Sequence, residues 1–174
     1  MKHSSSISRF LAGLLALAST LGSAGAATVV LPNGTTVEGT DIRANRAGDV
    51  ILTTPAGQRT FPRGQYVRAI ADQPASFNQA RGLAGQGKHD EAIALLEKIA
   101  TDFRFLDWDD KALAAIAQIE TSRGGHAKAV ETYDRLFRQN PALKDEASLQ
   151  WSYREAMLAA GMGERLMPVL TDLI

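Results

Sequence analysis

The chain has 174 residues, with 19 basic and 19 acidic side chains and so no formal net charge. That balance argues against nucleic acid or an anionic membrane as partner. There is no cysteine, which excludes a disulfide framework, a thiol nucleophile, a thiolate metal site and a lipid-bearing cysteine.

The first residues read as a targeting segment. Lys2 and Arg9 precede a short apolar run from Phe10 to Leu21, and small residues continue to Ala26. This layout predicts a secretory signal peptide over residues 1–26, cleaved after Ala26, with Ala27 as the next candidate. The run is too short to span a bilayer comfortably, so no stable membrane insertion is expected after cleavage. The Ala/Leu-rich segment has a bacterial character, and the expected location is outside the cytoplasm: the periplasm first, full secretion as the alternative. Without residues 1–26 the chain carries 17 basic against 19 acidic residues.

Residues 27–73 read as five short strands. "TVVLP" is followed by Asn33-Gly34, a strong hairpin signal between β-branched runs. "TTVEGTDIRA", "DVILTT", "QRTF" and "QYVRAIA" come next, and their spacing predicts a small curled sheet or partly open barrel. Val30, Val37, Ile42, Val50, Leu52, Phe61, Val67 and Ile70 are the core candidates. Pro55 and Pro62 belong at edges or turns, since proline removes a ladder hydrogen bond. So short a module buries little core and is expected to lean on its neighbour.

Around "DQPASFNQ", residues 72–79, the apolar period changes from two to 3.6, and alanine and leucine take over. "GQGKHDEAIALLEK" (85–98) and "SRGGHAKAVETYDR" (122–135) then align at a spacing of 37 residues: Gly87 with Gly124, His89 with His126, Ala92 with Ala129, Ile93 with Val130. A third glycine, Gly161, falls in the same register. A period of this length predicts stacked helix pairs, because one pair cannot bury its own apolar face. Each glycine would close the first helix of a pair in a left-handed conformation. Ala92 and Ala129 would let helices approach closely. Leu95, Leu96, Ile99, Tyr133, Leu136 and Phe137 would fill the seams, and Pro141 would end the second pair. Asp107, with Asp110, is placed to cap a helix beginning near Trp108.

These residues resemble the tetratricopeptide repeat. The second unit carries the pattern at Ala117, Gly124, Ala129, Tyr133, Leu136 and Pro141, with His126 in place of the usual tyrosine. The first carries it at Ala80, Leu83, Gly87, His89, Ala92 and Leu96, with Arg104 where proline would fall. In the third, Leu166 replaces the alanine. The fold expected is therefore α+β: a small N-terminal β-sheet or barrel-like module, then an α–α superhelix of about three helix pairs spanning 74–106, 107–143 and 144–174. The resemblance implies a concave binding face lined by first-helix residues: Phe77 and Arg81, then Lys111, Ala114 and Gln118, then Trp151, Glu155 and Leu158. Arg81, Lys111 and Gln118 suit a carboxylate or the backbone of an extended peptide, and Trp151 suits an interface anchor.

Catalysis is not expected. "GLAGQGK" (82–88) lacks the Ser/Thr of a phosphate loop and follows a helix rather than a strand. His89 and His126 have no second metal ligand within helical reach. "LDWDD" (106–110) fits helix capping better than a calcium loop, which is longer and needs a turn glycine. No cofactor or metal is expected. The sequence thus points to a non-catalytic, protein-binding scaffold or adaptor of the cell envelope. Its partner would be a protein or extended peptide, not nucleic acid. The alternative is a cell-wall glycan or peptide binder whose site lies on the β module. The terminal run with Met167, Val169, Leu170, Leu173 and Ile174 would either pack inward or leave an apolar edge for self-association.

Overall fold

Short strands come first and helices follow, in the order the change of period implies. The computed structural model describes residues 27–166. The expected signal peptide (1–26) and the expected apolar C-terminal edge (167–174) lie outside the described residues. The strands are β1 (Ala27–Val30), β2 (Thr36–Gly39), β3 (Asp41–Ala44), β4 (Val50–Thr54), β5 (Gly57–Phe61) and β6 (Arg68–Ile70). They form two three-stranded antiparallel sheets, ordered β2-β1-β6 and β3-β4-β5. The β1–β2 connection turns at Asn33-Gly34, where Gly34 has φ 81° and the Asn33 carboxamide oxygen accepts the Thr35 N–H at 3.0 Å.

Five runs were expected and six strands are present among the described residues, because "TTVEGTDIRA" breaks at Thr40. The chain crosses there from one sheet to the other, and the Thr40 N–H donates to the Thr53 carbonyl at 2.8 Å. A Cβ on Gly39 would collide with that carbonyl oxygen and with the Leu52 side chain, so a glycine permits the crossing. Switching sheets through a bent strand is how small β modules turn a corner. The core expectations also need correction at β1 and β6. Val29 and Ala69 are buried, Val30 and Ile70 only half-buried, and Val67 is 69 % exposed. Side chains alternate along a strand, so a one-residue choice exchanges the faces, and adjacent valines give the pattern nothing to choose by. Ile42, Val50, Leu52 and Phe61 are buried as expected.

The helices are α1 (Ala75–Gly85), α2 (His89–Asp102), α3 (Trp108–Ser122), α4 (His126–Gln139) and α5 (Ala147–Ala159), with a 3₁₀ turn at Pro141–Asp145 before α5. Residues 163–166 are again helical. The architecture is therefore α+β. Each of α1 to α5 packs chiefly on its sequence neighbours. Ala92 and Ala129 are fully buried, and Leu96, Ile99, Tyr133, Leu136 and Phe137 fill the interfaces. The Tyr133, Phe137 and Tyr153 rings pack together with centroids 5.3–6.2 Å apart. Burying each large side chain contributes about 1.5–3 kcal/mol.

Gly87, Gly124 and Gly161 all have left-handed φ, at 77°, 81° and 72°. The turns share one hydrogen-bond pattern. Each glycine N–H donates to the carbonyl three residues back, and the following N–H to the carbonyl five residues back, from Lys88 to Leu83, Gly125 to Glu120 and Met162 to Met157. This is the Schellman ending, in which a residue without Cβ avoids the left-handed penalty and two orphan carbonyls are satisfied.

The β module is fastened to the helices by the loop between α2 and α3. Trp108 Nε1 donates to the Ala71 carbonyl at 2.8 Å in a buried bond, and the Ala71 N–H donates to Leu106 O at 3.3 Å. Arg63 and Arg104 each place a guanidinium about 5 Å from the centre of the Phe105 ring. Phe105 and Asp107 both have left-handed φ, 69° and 71°, a conformation tolerated by aspartate and costly for phenylalanine. Asp107 does occupy the first position before α3, but its side chain makes no capping hydrogen bond. Its carboxylate is engaged by cations instead, as described next.

Candidate functional site

α1 and α3 bound an open groove of about 460 Å³. Phe77, Arg81 and Ala84 line it from α1, Leu96 from α2, and Lys111, Ala114, Ala115, Gln118 and Ile119 from α3. The structure thus brings Phe77, Arg81, Lys111, Ala114 and Gln118 to one surface. The spacing responsible is helical: residues three and four apart share a face. Phe77 stands edge-on against Trp108 at 5.0 Å. Arg81 and Gln118 are exposed, and neither side chain makes a hydrogen bond or ion pair among the described residues. Lys111 is already engaged, its Nζ lying 2.8 Å from Asp107 Oδ2 and 4.1 Å from the centre of the Trp108 ring. The groove carries two cations, no carboxylate and an apolar floor.

Trp151, Glu155 and Leu158 are not brought to this groove. They lie on the exposed side of α5, with Trp151 71 % and Leu158 62 % exposed. The α5 residue that reaches a neighbouring groove is Leu149. Counting from the turn glycines gives Trp151, two residues later, and two residues are about 200° around a helix.

A second groove, of about 580 Å³, adjoins the first and shares Lys111 and Ala114 with it. It lies at the joint with the β module. Val67 and Arg68 line it beside β6, Phe105 and Asp107 from the loop, Asp109 and Asp110 from α3, Gln139 and Asn140 from the end of α4, and Leu143, Glu146 and Leu149 beyond. Arg68 lies 2.6 Å from Asp107 Oδ1, so both cations of this groove are on one carboxylate. Asp109 is 5 % exposed and accepts the Phe105 N–H at 2.9 Å through Oδ2. Asn140 Nδ2 donates to Asp110 Oδ2 at 2.8 Å. Burial raises both carboxyl pKa values above the ordinary range; Asp110 is pushed up to about 6, with the Asp109 and Asp107 charges adding and the Asn140 bond opposing. The sequence reading assigned "LDWDD" to capping and passed over Arg68, Gln139 and Asn140. Three carboxylates within four residues was the available signal, but composition does not distinguish a cap from a groove wall.

His89 and His126 open α2 and α4, both half-buried, with each Nδ1 buried and unbonded among the described residues. Among the described residues no group of three His, Cys, Asp or Glu side chains is arranged to hold a metal ion. None of the described helices is long and apolar enough to cross a membrane. Comparison with protein-family models, with curated proteins and with solved structures returns no match to this chain.

Proposed function

We propose that this protein is a non-catalytic binding scaffold of the bacterial cell envelope, exported to the periplasm by a cleaved signal peptide. Its helix pairs form a short tetratricopeptide-like superhelix, and the face carrying α1 and α3 holds a protein or an extended peptide. The observation that carries this reading is the convergence of Phe77, Arg81, Lys111, Ala114 and Gln118 on one open groove with an apolar floor and a polar rim. Pockets that bind extended chains combine these two features, apolar anchoring and a few convergent polar groups. The three identical glycine turns lend support to the repeat.

The test is site-specific photocrosslinking in the native host, with a photoreactive residue at Gln118 or, as control, at exposed Glu131 on α4. A partner crosslinked from Gln118, absent from Glu131 and lost on Arg81→Glu, supports the reading. Equal capture from both positions refutes it. The rival reading, a cell-wall binder using the β module, calls for exposed aromatic rings there. Phe61 is buried, and Tyr66 is half-buried with its hydroxyl donating to the Gly48 carbonyl at 2.7 Å.

A further inference from the structure

The two adjoining grooves have opposite electrostatic character. The second is lined by four carboxylates, Asp107, Asp109, Asp110 and Glu146, and by two cations, Arg68 and Lys111, both held by Asp107. Asp109, Asp110 and Glu146 therefore have no cationic partner among the described residues. The unmet hydrogen-bonding capacity is also of one kind. Asp109 Oδ1, Asp110 Oδ1 and Gln139 Oε1 are buried oxygens that accept no hydrogen bond among the described residues, and all three residues line this groove. A buried acceptor left without a donor is costly, so these oxygens favour a ligand that brings donors.

We propose that this groove receives the guanidinium or ammonium group of an arginine or lysine side chain carried by an extended segment of a partner protein. The charge and the acceptors match such a group, which supplies donors only. The walls match its stem: Val67, Phe105, Leu143 and Leu149 provide apolar surface, along which long basic side chains bury their methylenes. The groove also suits a chain rather than a free ion. It continues past Lys111 and Ala114 into the groove between α1 and α3, and its other end reaches β6, an edge strand of its sheet, beside the exposed Val67. The inference rests on the scaffold reading for the partner being a protein, but not on which residues act in the first groove.

The experiment uses the full mature chain, labelled with ¹⁵N, and three blocked peptides: acetyl-Leu-Arg-Leu-amide, its neutral citrulline counterpart and its glutamate counterpart. Calcium chloride alone is a fourth titrant. The expected result is that the arginine peptide shifts the amides of Val67, Ala114, Leu143 and Leu149 and binds about tenfold or more tighter than the citrulline peptide. Asp110→Asn weakens the arginine peptide by about tenfold, and Glu131→Gln, an equal loss of charge at an exposed position on α4 outside both grooves, leaves it unchanged. Equal binding of the arginine and citrulline peptides overturns the proposal, as do shifts confined to the α1–α3 groove or reproduced by calcium alone. If Gln118 crosslinks nothing while the arginine peptide binds here, the first-groove reading falls and this one stands.

Discussion

Replacing Asp110 by asparagine separates the stability of the joint from its binding capacity. Burial pushes the Asp110 carboxyl from 3.8 up to about 6. Two units at 1.36 kcal/mol each set a ceiling of roughly 3 kcal/mol, which partial access to water reduces to about 1–2 kcal/mol. The sign follows from proton linkage. The native state holds this proton more tightly than the unfolded chain, so the associated stability is present below about pH 4 and lost as pH rises through about 6. At pH 7.5 the wild-type protein carries the full cost of a buried, unpaired charge. Asp110→Asn removes that charge and keeps a carbonyl oxygen for the Asn140 amide. The variant should therefore be more stable at pH 7.5 by about 1–2 kcal/mol, or about 2–8 °C in Tm, and equal to wild type near pH 4. Thermal unfolding followed by circular dichroism between pH 4 and 8 reads this directly. A difference independent of pH, or a destabilised variant at pH 7.5, would refute the reasoning.

Two glycine substitutions should have opposite effects in the same assay. Gly82→Ala lies within α1 with open space around its Cβ position and should stabilise by about 0.5–1 kcal/mol, whereas Gly124→Ala, at φ 81°, should destabilise by roughly 1 kcal/mol or more. Trp108→Phe leaves the Ala71 carbonyl without its buried donor and should cost about 1–3 kcal/mol. Because that bond joins the two modules, denaturant unfolding of this variant should split, with the sheets lost before the helices. A single transition at the wild-type midpoint would count against the joint.

The helical part was legible in the sequence because its signals are local. Gly87, Gly124 and Gly161 announce left-handed helix ends, and Ala92 and Ala129 announce close helix crossings. Residues three and four apart place Phe77 with Arg81 and Ala114 with Gln118, and the structure sets these pairs in one groove. What was not legible depends on distance or on phase. Nothing near Asp107 reveals that Arg68, 39 positions earlier, will claim its carboxylate. The "LDWDD" run has the composition of a helix cap, and only the arrival of Gln139 and Asn140 from α4 makes it a groove wall. At α5, Leu149 lines the neighbouring groove while Trp151 is exposed, and packing rather than spacing separates the two. In the β module, Val29 and Val30 are chemically equivalent, and only the opposing sheet selects one.

The fastening of the sheets to Trp108 also sets a timetable. The helix-to-helix contacts join segments adjacent in sequence and form as soon as each hairpin exists, whereas Ala71 waits for a side chain 37 residues later. Closing long loops is what slows folding. On a chain emerging amino end first, at about 5–20 residues per second, β6 precedes its anchor by several seconds. During that interval the two sheets have only their own small core. The β module is thus made first and secured only once α3 begins.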